Sequence, residues 1–178
     1  MSTFSTEQTP AGTLLTDRLE LAEMTAAEVD ALIVGDRCEH WAPDFPQLVD
    51  EDAAQQYFQA GLLGPRAGTF GARIIREHQG PAIGTIGFLG PPVDGIVEVT
   101  YNIAPSRRGL GFATEALIAL SSFALEQPGV ERVVAYTDEA NEASMSLLLT
   151  AGFMPSDSTG PDLAFVLHST SQLPDGDS

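Results

Sequence analysis

Two adjacent arginines, Arg107 and Arg108, run into two closely spaced glycines, Gly109 and Gly111, within VEVTYNIAPSRRGLGFATEAL at residues 97–117. An alternating run precedes them and a helix-like run follows. A glycine turn between a strand and a helix lets the backbone approach an anion closely and turns free helix-end amides toward it, with the helix dipole adding attraction. Arginines there hold an anion by charge as well as by hydrogen bonds. The segment Arg107, Arg108, Gly109, Leu110, Gly111, Phe112 and Ala113 is therefore expected to bind a phosphate or pyrophosphate. On the preceding strand, Glu98, Thr100 and Asn102 alternate with Val97, Val99, Tyr101 and Ile103, so one face carries the polar side chains. A carboxylate set in a sheet cleft has a raised affinity for protons, whereas on a solvated strand face Glu98 would be an ordinary exposed glutamate.

Two familiar phosphate loops fail against this turn. A Walker loop needs a lysine after its glycines, and all 8 basic residues of the chain are arginines. A Rossmann fingerprint needs three glycines in an early βαβ unit, whereas GLGFAT comes late. Nor do other chemistries find their residues. Cys38 is the single cysteine, which excludes an internal disulfide and a cysteine-based zinc cluster, and its neighbour His40 gives no sign of a nucleophile-base pair. His40, His78 and His168 lack ligand spacing, so no metal is expected.

Acidic residues number 25 against 8 basic, a net charge of −17. That balance argues against nucleic acid as a partner and favours cationic small molecules, amines or basic polypeptide termini. Solubility or adaptation to salt would explain the same excess. No run approaches the roughly 18 apolar residues of a membrane span, and the polar start lacks the basic and apolar regions of a signal peptide. A cytoplasmic protein with no membrane partner is expected.

The elements that must position these residues follow from periodicity. GTLLTDRLELAEM reads as a first strand, and Thr25 with Glu28 forms a capping box opening a helix that closes near Gly35. Pro43 and Pro46 make CEHWAPDFPQLVD a loop, and DEDAAQQYFQAGLLG a second helix. A hairpin (TFGARIIREH and AIGTIGFLG), the strand GIVEVTYNIA, a helix from about Gly109 to Glu126, the strand RVVAYT, the helix NEASMSLLLTA and two closing strands complete the chain. This order predicts an α/β three-layer domain with one mixed, mostly antiparallel sheet of about seven strands and about four helices. A single domain is expected over 13–168, between flexible segments at 1–12 and 169–178.

Arg108, Gly111 and Ala113 spell Arg-x-x-Gly-x-Ala. This resembles the acetyl-CoA pyrophosphate loop of the GNAT superfamily of N-acetyltransferases. The resemblance extends to VVAYTDEANEASMSLLLTAGFMP, with its strand, asparagine-led helix and closing Gly152 and Phe153, and covers about residues 13–168. LLTDRLELAEMTAAEVDAL and the NEAS spelling are similar to the RimJ/RimL-like branch, which acetylates amino termini of ribosomal proteins and includes small-molecule enzymes.

The resemblance implies acetyl-CoA as cosubstrate and direct transfer to a primary amine, without an acyl-enzyme. It implies Glu98 as the base, main-chain groups around Ile103 and Ala104 pairing with the pantetheine arm, and Asn141 contacting that arm while capping its helix. Ser144, one turn inside that helix, is a candidate donor to the leaving thiolate, although a serine hydroxyl is a weak acid. Many relatives carry a tyrosine acid seven residues after the asparagine; here that residue is Leu148. The RimJ/RimL-like branch commonly lacks it, which leaves Ser144, water or no dedicated acid; Tyr136 is an outside candidate better read as packing.

Trp41 and Phe45, in a proline-punctuated loop, are candidate walls of the acceptor pocket, with tethering onto the core as the alternative. Asp44, Asp50, Glu51 and Asp52 would attract a cationic acceptor, though a solvated helix start explains the last three equally. The alternative to an enzyme is a CoA-binding sensor or interaction module without turnover. The acceptor is open between a protein amino terminus and a small cationic amine, and a homodimer is left open.

Overall fold

The computed structural model describes residues 5–9 and 12–170. Strands β1 (Glu7–Gln8) and β2 (Leu14–Leu15) pair antiparallel, and β3 (Leu19–Glu23) follows. The single first strand expected from the apolar alternation is thus broken at residues 16–18. Its break has a distant cause: Thr16 Oγ1 and the Arg18 N–H both donate to Glu115 Oε1, at 2.6 and 2.8 Å. Two donors drawn to one buried carboxylate cannot also serve a strand ladder.

Helix α1 (Ala26–Val34) opens with the expected capping box, in which the Glu28 N–H donates to Thr25 and the Thr25 N–H to Glu28, and it ends on a left-handed Gly35. Helix α2 (Leu48–Gln59) leads to the hairpin β4 (Arg73–Glu77) and β5 (Ala82–Phe88), then to β6 (Ile96–Ile103). After a 3-10 turn at Pro105–Arg107 come α3 (Phe112–Leu125), β7 (Arg132–Thr137), α4 (Glu142–Thr150), β8 (Met154–Ser156) and β9 (Leu163–His168).

One sheet runs in the order β1-β2-β3-β4-β5-β6-β7-β9-β8. Every neighbouring pair is antiparallel except β6 and β7. The sheet has 9 strands among the described residues, where about seven were expected, because the first strand divides and β1 adds to its edge. Of the ends expected to be flexible, 1–12 and 169–178, residues 1–4, 10–11 and 171–178 lie outside the described residues, and Glu7–Gln8 form β1.

Side-chain alternation along β6 assigns the layers. Thr100 and Asn102 face α2, where they meet Tyr57 and Asp50, whereas Tyr101 faces α4. Strand β5 is buried throughout, and its Gly84 lies so close to β6 that an added Cβ would sit 2.1 Å from the Asn102 carbonyl oxygen. No side chain can separate the two strands there.

Candidate active site

The site begins where the sheet comes apart. Strands β6 and β7 run in parallel register only through Ile96, Val97 and Glu98, opposite Arg132, Val133 and Val134. Beyond Glu98, β6 keeps its partner β5 as far as Ile103 but, among the described residues, has no strand partner on the β7 side. The Leu89 N–H donates to the Glu98 carbonyl and the Ala104 N–H to the Ile83 carbonyl, at 3.0 and 2.7 Å. Even-numbered backbone groups therefore face β5, and those of Tyr101 and Ile103 turn into the gap. The result is an open strand edge in the middle of a sheet, bordering a cleft of about 810 Å³ whose lining includes Glu98, Tyr101, Arg108, Gly111, Asn141 and Ser144.

At the far end of that edge lies the glycine-arginine loop. Gly111 caps α3 with φ 83°, and the Glu115 N–H closes the first helical turn on the Gly111 carbonyl at 3.0 Å. The amides of Phe112, Ala113 and Thr114 thus have no intrahelical acceptor and mark the positive end of a 14-residue helix. The two arginines differ. Arg107 is spent on a carboxylate, donating to Glu77 Oε2 at 3.1 Å. Arg108 meets only neutral acceptors, its Nε donating to the Ile103 carbonyl at 2.9 Å and its Nη2 to Asn102 Oδ1 at 3.3 Å. No carboxylate hydrogen-bonds it among the described residues, although its charge is felt by the buried Asp50.

Around Ile103 and Ala104, where pairing with the pantetheine arm is expected, the backbone groups are engaged only in part. The Ile103 carbonyl accepts from Arg108 and the Ala104 N–H donates to Ile83, while the Ile103 N–H and the backbone of Tyr101 turn into the gap. Asn141 accepts from the Ser144 N–H at 3.0 Å and lines the cleft, so cap and cleft positions coincide. Leu148 is fully buried in the core, whereas Tyr136 is 48% exposed and lines the cleft rather than packing.

Glu98 sits at the fork itself. No described group hydrogen-bonds its carboxylate, and partial burial pushes its pKa above the usual glutamate range. Cys38 is half-buried, and desolvation, then Glu28 and Asp36, push its thiol up, the reverse of what a nucleophile requires.

Trp41 and Phe45 do not reach the cleft. They are 3% and 1% exposed and stack edge to face at 4.9 Å. Their loop lies beside the start of β5, with the Ala42 N–H donating to the Ala82 carbonyl and the Ala82 N–H to the His40 carbonyl, which turns both rings onto the core. Asp44 is equally committed. It accepts from the N–H and hydroxyl of Ser106, both at 2.7 Å, and the backbone hydrogen bond foremost holds its carboxyl below the usual range.

Three contributors were not recognised as such in the sequence. Arg18 donates from Nε to Glu115 Oε2 at 2.7 Å and from Nη1 to the Leu110 carbonyl at 2.9 Å, with its guanidinium 4.4 Å from the Phe112 ring centre. It braces the glycine-arginine loop. Asp50 is fully buried and accepts from the Gln47 N–H, Thr85 Oγ1 and Asn102 Nδ2 at 2.9, 2.7 and 2.9 Å, which turns the Asn102 oxygen toward Arg108. Tyr101 places its hydroxyl 3.2 Å from Ser144 Oγ.

Burial, outweighing those three hydrogen bonds, raises the Asp50 pKa. A carboxyl raised on folding favours the folded state at low pH, and that contribution is lost as pH rises through its folded pKa. In Asp50→Asn, the amide oxygen can keep Gln47 and Asn102 while the Thr85 hydroxyl turns to accept. Thermal melts should therefore show wild type and variant alike near pH 4 and the variant equal or more stable near pH 7. A variant that melts well below wild type at pH 7 alone would contradict this reading.

A sheet forked at a carboxylate, with a glycine-arginine helix start on one arm and an asparagine-capped helix on the other, is the architecture of this α/β domain. Residues 18–154 match the acetyltransferase (GNAT) domain, and the chain belongs to that family as an N-acetyltransferase. A curated relative, "Uncharacterized N-acetyltransferase p20" of Bacillus licheniformis, is 28% identical over 153 residues, covering 79% of this chain and 82% of that protein. The crystal structure of an acetyltransferase from Agrobacterium tumefaciens superposes with TM-score 0.64 at 22% identity, over 95% of this chain and 99% of that one. RimJ of Mycobacterium smegmatis, in complex with CoA-disulfide, gives TM-score 0.61 at 19% identity, over 96% and 89%. The likeness to the RimJ/RimL-like branch thus has a counterpart in the fold. Among the described residues no helix is long and apolar enough to cross a membrane.

Proposed function

We propose that the protein transfers an acetyl group directly from acetyl-CoA to a primary amine, either a protein amino terminus or a small cationic amine. The observation that carries this reading is the unpaired edge of β6, with Glu98 at its closed end and Arg108 and the start of α3 at its open end. Five residues of strand separate Glu98 from Ile103, about 17 Å. A long arm with amide groups, borne on a pyrophosphate, matches such a span: its phosphates fit the loop, its amides the strand edge, and its thioester the fork.

Each residue then has a task. Arg108 and the amides of Phe112, Ala113 and Thr114 hold the phosphates. Backbone groups of Tyr101 pair with the arm and orient the thioester. Glu98 takes a proton from the amine as nitrogen attacks the carbonyl carbon, and Ser144 faces the departing sulfur. The acidic surface draws a cationic acceptor toward the cleft, which predicts an association rate that falls with salt.

Release of free thiol from acetyl-CoA, followed across small polyamines, alkyl amines and peptides with free amino termini, tests the reading. Amine-dependent release with a matching acetylated product is expected. Saturable CoA binding without acetylation of any acceptor would instead support a binding module, and no CoA binding would overturn both.

A further inference from the structure

We propose that Tyr101 supplies, through Ser144, the proton that the leaving thiolate takes up. The inference rests on the acetyl-transfer reading and adds to it the acid for which Leu148 leaves no obvious residue. The chain has 3 tyrosines. Tyr57 is buried and bonded to Thr100 on the face of β6 turned toward α2, and Tyr136 is half-exposed with no described partner for its hydroxyl. Tyr101 alone joins a cleft position to a hydroxyl partner, its phenol lying 3.2 Å from Ser144 Oγ across the fork. Ser144 is itself fixed, because its N–H is held by the Asn141 cap at 3.0 Å.

The chemistry favours a pair over a lone serine. An alkyl hydroxyl is a very poor acid, whereas an ordinary phenol, at about 10, lies close to a thiol at about 8.5. Burial raises the Tyr101 pKa further, so the phenol enters the cycle protonated. Alternation along β6 also puts Tyr101 on the face opposite Glu98, so the base serves the incoming amine and the acid the outgoing sulfur from two sides of one strand. As the new C–N bond forms and the C–S bond breaks, the bonding electron pair passes to sulfur. Sulfur takes the Ser144 hydroxyl proton while the phenol proton moves to Ser144 Oγ. The phenolate recovers a proton from solvent, into which Glu98 releases the one taken from the amine. Ser144 is the group that touches sulfur; Tyr101 acts through it.

Tyr101→Phe, Ser144→Ala, the double variant and Ser144→Thr test the pair in the full-length protein, with CoA affinity by calorimetry and turnover across roughly pH 6 to 11, past the ordinary phenol value. CoA affinity within about twofold of wild type shows that each cleft is intact. Tyr101→Phe and Ser144→Ala should each lower kcat by about 100-fold, the low end for general acid catalysis because a thiolate leaves readily. The double variant should be no slower than either single, Ser144→Thr should restore much of the rate, and the alkaline fall of the wild-type profile should vanish in Tyr101→Phe. Wild-type turnover with an intact alkaline limb in Tyr101→Phe, or losses that multiply, would overturn this inference alone. A wild-type protein that acetylates no amine would overturn the acetyl-transfer reading and this inference together.

Discussion

Gly111→Glu is expected to abolish CoA binding while leaving the protein folded. Gly111 holds φ 83°, so any side chain adds about 1–2 kcal/mol of backbone strain. Its Cβ would lie 3.2 Å from Arg18 Nη2, so the arginine bracing the loop must give way. The larger effect is electrostatic. A carboxylate at the start of α3 is itself an anion at a helix N-terminus, and it would take the free amides and Arg108 that a pyrophosphate needs. Affinity should fall more than about 100-fold by calorimetry, equivalent to about 2.7 kcal/mol. Gly111→Ala, which keeps the strain without the charge, should lose far less. An unchanged Kd in Gly111→Glu would refute the placement of the phosphate site.

Glu98→Gln should reduce turnover by about 100- to 1000-fold near neutral pH without weakening CoA binding. Because burial raises the Glu98 pKa, the wild-type rate should climb as pH rises through that value, and this acid limb should be missing from the variant. Below it, where Glu98 is protonated, the two proteins should converge. At alkaline pH an amine loses its own proton and the variant should recover. Recovery near pH 8 would indicate an α-amino acceptor and recovery near pH 10 an alkyl amine, following their ordinary pKa values of about 8 and 10.4. Linkage runs the other way for stability. A carboxyl raised on folding loses its favourable contribution as pH rises, so Glu98→Gln should melt no lower than wild type at neutral pH. A variant matching the parent's rate at every pH would remove Glu98 as the base.

What the sequence disclosed was chiefly local. Alternation between Val97 and Ile103, the glycines at 109 and 111, and the caps at Thr25 and Asn141 each follow from a short periodicity or a turn requirement, and each stands where expected. What stayed hidden joins distant residues. Arg18 and Glu115 are 97 positions apart, and Asp50 and Asn102 are 52 apart; neither pair has a local pattern to mark it. The first breaks the opening strand and braces the glycine-arginine loop. The second fixes the Asn102 amide that Arg108 meets. Tyr101 was passed over for a different reason: it occupies an apolar phase of β6, and alternation reports which way a side chain points rather than what its tip can bond. Trp41 and Phe45 were read from their proline-rich loop, but hydrogen bonds to Ala82 lay that loop along β5 and send both rings inward.

The central claim is that the fork at Glu98 is where acetyl passes from CoA to an amine. Its most direct test is amine-dependent thiol release from acetyl-CoA at neutral pH, run side by side on wild type and Glu98→Gln at matched CoA occupancy, with the acetylated product identified by mass. Rapid release by wild type, a loss of about 100-fold or more in the variant and equal CoA affinity are expected. Equal rates in the two proteins, or CoA bound by both with no amine acetylated, would contradict it.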